Sequence, residues 1–155
     1  MQVFDSDEAL KIIENYLEVM KNAISSNITT TGRKASGRTA KSLQVEMSEV
    51  GGRIVGRQYF QGLEVGRPKG KVPYNFRNII KQWIIDKGID VDNIDQSAYL
   101  IARKIREKGT NMWYHHEYNV YTPVIDIYER KMLEEVMGVV TKDLSAEIKR
   151  QFKNG

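Results

Sequence analysis

The chain contains no cysteine. That excludes disulfides, thiolate metal sites and a cysteine nucleophile, and it permits a reducing compartment. Proline is scarce at three residues, and histidine scarcer at two. His115 and His116 are adjacent, and neighbours on an extended segment point to opposite faces, so they do not converge on one ion. No HExxH or CxxC spacing occurs, so no metal or cofactor is expected. No apolar run exceeds five residues, far short of the roughly 20 that span a bilayer. The opening residues, MQVFDSDEALKIIENY, lack the basic-then-apolar order of a signal peptide. The expectation is a protein made and used in soluble form.

Catalytic patterns are missing too. Gly32 and Gly37 enclose four residues, but Arg38-Thr39 follows where a phosphate-binding loop requires Lys and then Ser or Thr. Asp90, Asp92 and Asp95 do not form a calcium loop, because Ile94 and Gln96 break the ligand pattern. No GxSxG elbow is present. Glu64 is the only acid between Glu49 and Asp86. General acid–base work needs a second carboxylate or a histidine beside it, and the sequence positions none. A structural ion pair with an arginine is the expected role of Glu64, and no enzymatic activity is expected.

What is present suits one folded unit. The 155 residues are 41% hydrophobic and 28% charged, and a chain of this size buries roughly 68–70% of its unfolded surface. The net charge of +4 is unevenly spread. Residues 1–31 carry −3, residues 32–71 carry +6, and the remainder is near neutral. A basic segment of this kind suits nucleic acid or an acidic protein surface, and equally a solvated loop and sheet edge.

Residue patterns predict an α+β fold: a small antiparallel sheet flanked by helices, with long amphipathic helices at both ends. Residues 1–28 form the first helix, capped by Asp5 or Ser6, with Leu10, Ile13, Leu17, Met20 and Ile24 as its apolar stripe. Thr29 to Gly37 reads as a mobile loop. Leu43, Val45 and Met47 alternate with polar residues as a half-buried strand. Gly51-Gly52 supplies a hairpin turn, and Ile54 to Arg57 returns. Tyr59 to Val65 either extends that strand or turns as a short helix.

Gly66 to Pro73 is an exposed basic loop. Asn75 caps a helix carrying Ile79, Ile80, Trp83 and Ile84, closed by Gly88, with Trp83 as core anchor. Asp95 or Ser97 opens a third helix with Ala98, Ile101, Ala102 and Ile105 inward. The segment from Trp113 to Tyr121 is aromatic without a Lys or Arg, which favours a protein contact over base stacking. Val120 and Tyr121 are assigned to a strand that Pro123 ends. Residues 124–153 form the last helix, whose apolar stripe from Val124 to Phe152 is roughly 43 Å long over 29 residues at 1.5 Å each. That exceeds a small domain's diameter, so part of its stripe is expected to meet another subunit. The candidate interface is Leu133, Val136, Val140, Leu144 and Ile148.

The order of short motifs across residues 35–112 resembles the tailed-bacteriophage head–tail joining family, whose members are neck or tail-completion proteins. The resemblance is carried by Ser36-Gly37-Arg38, Ser42-Leu43, the strand pair, Tyr59 and Leu63-Glu64-Val65-Gly66-Arg67. It continues through Pro73, Ile80, Trp83-Ile84, Lys87-Gly88-Ile89, Ala98-Tyr99, Ile101-Ala102, Ile105 and Gly109-Thr110. It implies a structural virion protein, assembled in the host bacterial cytoplasm and placed at the neck. Copies would form a homo-oligomeric ring by head-to-tail contacts, between portal, connector or adaptor proteins and the tail tube or tail terminator. Genomic DNA would pass through the lumen with non-specific contacts. Arg33, Lys34, Arg38, Arg67, Lys69 and Lys71 are the candidate contacts to DNA or to adjacent rings. The chain departs from the family pattern after Thr110, where NMWYHHEYNVYTP follows, and in its long last helix. Both a sixfold tail terminator and a twelvefold neck ring stay open. The competing class is a small basic nucleic-acid-binding module.

Overall fold

The computed structural model describes residues 6–57, 60–111, 115 and 119–153. The expected positions of Asp5, Tyr59, Trp113, Tyr114, His116 and Tyr118 lie outside the described residues. Helix α1 (Ser6–Thr30) is followed by the short α2 (Arg38–Lys41), the strands β1 (Gln44–Ser48) and β2 (Gly51–Val55), and α3 (Phe60–Val65). Then come α4 (Phe76–Lys87), α5 (Ile94–Lys108) and α6 (Thr122–Lys153). The fold is α+β, as the residue patterns predict.

Two apolar clusters organise it. In the first, Leu17, Met20, Ile24 and Ile28 recur at helical spacing along α1 and are buried against Leu43, Val120 and Val124. The β-hairpin lies on this stripe through Val45, Met47 and Ile54. Helix α6 runs antiparallel to α1: Asn27 Nδ2 donates to the Val120 carbonyl at 3.0 Å, and the Tyr16 hydroxyl donates to Glu135 at 2.6 Å. In the second cluster, Phe76, Ile80 and Ile84 line one face of α4 at four-residue spacing and pack on Ala98 of α5.

Several local expectations are corrected. The hairpin turn is Glu49-Val50, because Ser48 pairs with Gly51 and Met47 with Gly52. Gly52 is needed for proximity rather than for the turn: a Cβ there would collide with the Met47 thioether and, at 2.6 Å, with a Leu17 methyl. Helix α1 continues past Asn27 to Thr30, and Thr29, Thr30 and Thr31 direct their hydroxyls to the carbonyls of Ser25, Ser26 and Asn27. Hydroxyls that bond back one turn fit inside a helix. Gly32, at φ 69°, then ends it.

Tyr59 to Val65 resolves as helix α3 over its described part. Asn93, not Asp95 or Ser97, caps α5, its side chain accepting from the Gln96 amide at 2.9 Å. Asn75 precedes α4 but makes no side-chain cap. Trp83 is not a core anchor: it is 38% exposed, as is Ile79. Both sit to one side of the buried line Phe76–Ile80–Ile84. Val120 and Tyr121 form a bend rather than a strand, and Pro123 opens α6 instead of ending a segment. Proline suits the first helical turn, where its missing N–H has no helical partner to lose.

Candidate functional site

The first site residue to place is Glu64. Its side chain is 1% exposed. Its carboxylate accepts three backbone amides: Val120 at 2.7 Å and Tyr121 at 3.0 Å on Oε2, and Thr122 at 3.1 Å on Oε1. Thr122 is the first residue of α6 and Val120 and Tyr121 lead into it, so the carboxylate sits at the helix start, where unpaired amides and the helix dipole favour negative charge. The expected arginine ion pair is therefore replaced by a long-range helix cap. An arginine does reach this place, but it binds main chain: Arg33 Nη1 donates to the Leu63 carbonyl and, at 3.3 Å, to that of Glu64. No sequence pattern announces the cap, because its halves lie 56 to 58 residues apart.

The six basic candidates fall into two groups. Arg33, Lys34 and Arg38 lie near the end of α4: Lys87 Nζ donates to the Gly32 carbonyl, and Arg38 pairs with Asp86 at 3.1 Å. The loop expected to be mobile is thus held at several points. Arg67, Lys69 and Lys71 lie against the end of α5. The Gly70 amide donates to the Arg106 carbonyl at 2.9 Å, and the Thr110 amide to the Arg67 carbonyl at 2.9 Å.

Gly109 has φ 78° and room for no side chain, since a Cβ would stand 2.7 Å from the Arg67 oxygen and 2.9 Å from the Lys69 nitrogen. The arginines serve structure: Arg67 donates to the Lys71 carbonyl at 2.7 Å and lies 5.4 Å over the Phe76 ring. Lys34, Lys69 and Lys71 are exposed.

This arrangement brings the second loop beside bases that sequence reasoning passed over. Arg77, Arg103 and Arg106 line a cleft of about 280 Å³ with Tyr74 and Tyr99. Tyr74 is wholly exposed and Tyr99 half exposed. Arg77 lies 5.9 Å over the Tyr99 ring. The outward spacing Tyr99–Arg103–Arg106 on α5 is a readable signal, since residues three and four apart share a helix face. A second, more apolar groove of about 450 Å³ runs between α3 and the α4–α5 pair, with Leu63, Ile80, Trp83 and Ile105 in its walls. Among the described residues no cluster of three metal-ligating side chains occurs, and no helix is long and apolar enough to cross a membrane.

The candidate interface on α6 divides. Val136 and Val140 are half-buried, whereas the contact with α1's apolar cluster is made by Val124 and Tyr128. Leu133, Leu144 and Ile148 are 46–52% exposed, and Met137 and Phe152 are exposed at 59% and 86%. Apolar side chains therefore occupy two faces of α6, and α1 covers one of them. At 32 residues the helix is about 48 Å long, and past Val140 its large apolar side chains, Leu144, Ile148 and Phe152, are all exposed.

Two groups, Tyr16 on α1 and Glu147 on α6, titrate away from their ordinary values. The hydrogen bond to Glu135, then burial, pushes the Tyr16 phenol above its ordinary value. The hydrogen bond from Gln151, helped by Arg150, holds the Glu147 carboxyl below the usual range. No family model matches this chain, and no curated protein or solved structure matches it either.

Proposed function

We propose that the chain is a structural subunit of a tailed-bacteriophage neck, forming a ring that joins the head or connector to the tail around the DNA channel. The observation that carries this reading is α6. Its inner face packs on α1, while Leu133, Met137, Leu144, Ile148 and Phe152 stay exposed over its remaining length. Isolated exposed apolar residues are ordinary, but a periodic row of them on one helix marks a contact surface. Residues behind the family resemblance also do structural work here. Glu64 fastens α3 to α6, and Arg67 and Thr110 fasten the basic loop to α5. A subunit that acts by shape needs such joints and no reaction centre.

The second reading, a basic nucleic-acid-binding module, draws support from the cluster of Lys69, Lys71, Arg77, Arg103 and Arg106 around one end of α5. The two readings separate by mass. The ring reading expects a closed oligomer, alone or on addition of the neighbouring virion proteins, measured by mass photometry. A monomer or dimer that ignores those proteins and holds one duplex sequence tightly contradicts it.

A further inference from the structure

We infer that the subunit-to-subunit contact joins two different faces: the outer face of α6 on one copy and the arginine–tyrosine face of α5 on the next. This rests on the assembly reading above and names the surfaces that perform it.

The α6 face is apolar at its centre and acidic at its margins. Leu133 and Met137 are exposed, and on the same side of the helix Asp126, Glu129 and Glu134 outnumber the one base, Arg130. Among the described residues none of these three acids is in an ion pair. The α5 face carries the opposite excess: Arg77 and Arg103 pair with Asp95 and Glu107 at 3.7 and 3.6 Å, and Arg106 adds a base in no ion pair among the described residues. Arg77, Arg103 and Arg106 surround Tyr74 and Tyr99, and Leu100 beside them is 47% exposed. Tyrosine and arginine are the residues that concentrate binding energy at protein contacts.

Sign decides the geometry. Setting α6 faces against each other would oppose acid to acid, and setting α5 faces together would oppose arginine to arginine. Like charges brought together oppose association, whereas acid on arginine favours it. The contact is therefore heterologous, each copy offering its α6 to one neighbour and its α5 to the other, and such a contact propagates into a ring when it closes. The two faces belong to different apolar clusters of the fold, so using one leaves the other free.

Charge reversal tests this on the full chain. Glu129→Lys/Glu134→Lys reverses one face and Arg103→Glu/Arg106→Glu the other; all four residues are exposed, and circular dichroism melts check that both variants fold. Self-association is read by sedimentation at low salt. Each variant alone is expected to associate at least about tenfold more weakly than wild type, and an equimolar mixture to regain association.

Wild-type oligomers indifferent to both reversals, or a mixture that stays monomeric, overturn the contact while leaving the ring reading standing. Where wild type assembles only with added neck neighbours, the same reversals are read in that assembly, and a wild type monomeric under both conditions overturns the contact and the ring reading together. If the arginine reversal abolishes retention of a generic DNA duplex and leaves assembly intact, the face serves nucleic acid and the inference fails.

Discussion

At the scale of single residues, the fold turns on Glu64. A carboxylate holding three amides at the head of α6 has no equivalent substitute. Glu64→Gln keeps one acceptor and aims an amide donor at backbone N–H groups. Leaving buried polar groups unsatisfied costs about 2–3 kcal/mol, so the variant is expected to melt roughly 5–10 °C lower. Thermal denaturation followed by circular dichroism checks this; an unchanged midpoint would mean that the cap is dispensable.

Gly109→Ala is the backbone counterpart. It combines a left-handed φ of 78° with a Cβ 2.7 Å from a carbonyl, and it should destabilise by about 1–3 kcal/mol. Tyr16 supplies a pH signature. Its phenol donates to Glu135 only while protonated, and its folded value lies above the ordinary one. That contribution is complete below the unfolded pKa and is lost as pH rises through the folded one. Tyr16→Phe should therefore flatten the alkaline limb of the stability profile. None of these residues signals itself in the sequence. Glu64 looks like any acid among apolar neighbours until residues 120–122 are brought to it.

Among the elements, α6 is where the proposed assembly and the stability of the fold are separable. Its first two turns are anchored in the core by Val124 and Tyr128, and its last turns carry no buried side chain. Removing residues 142–153 should leave the melting temperature within a few degrees of wild type while weakening self-association. Gly138→Ala, at a helical position with open space around it, should stabilise by about 0.5–1 kcal/mol.

Helices α1, α4, α5 and α6 were legible because three-and-four spacing of apolar residues is a local property. Strand alternation at Val45 and Met47 was legible for the same reason. The turn was misplaced because Gly51-Gly52 looks like turn chemistry, while Gly52 is there to let Leu17 and Met47 approach. Pro123 was read as a stop because proline breaks helices in their interior, yet at the first turn it begins one. Trp83 was assigned inward by its company, although Phe76, Ile80 and Ile84 already fill the buried face.

At the scale of the whole molecule, two apolar clusters are tied by polar joints, and an acidic-margined helix face and an arginine-rich face are exposed. Raising salt should weaken association, since the Debye length falls from about 10 Å at 0.1 M to about 3 Å at 1 M. Assembly held together by the apolar row alone would instead resist salt. The basic segment was legible as charge, but its destination was not, because Lys69 and Lys71 meet Arg103 and Arg106 only after folding. The most direct measurement is a low-resolution map of the assembled phage particle with this chain labelled. The account predicts label in a closed ring at the head–tail junction, with α6 of each copy lying across α5 of its neighbour. A junction without label, or label on single copies with no symmetric mates, would contradict it.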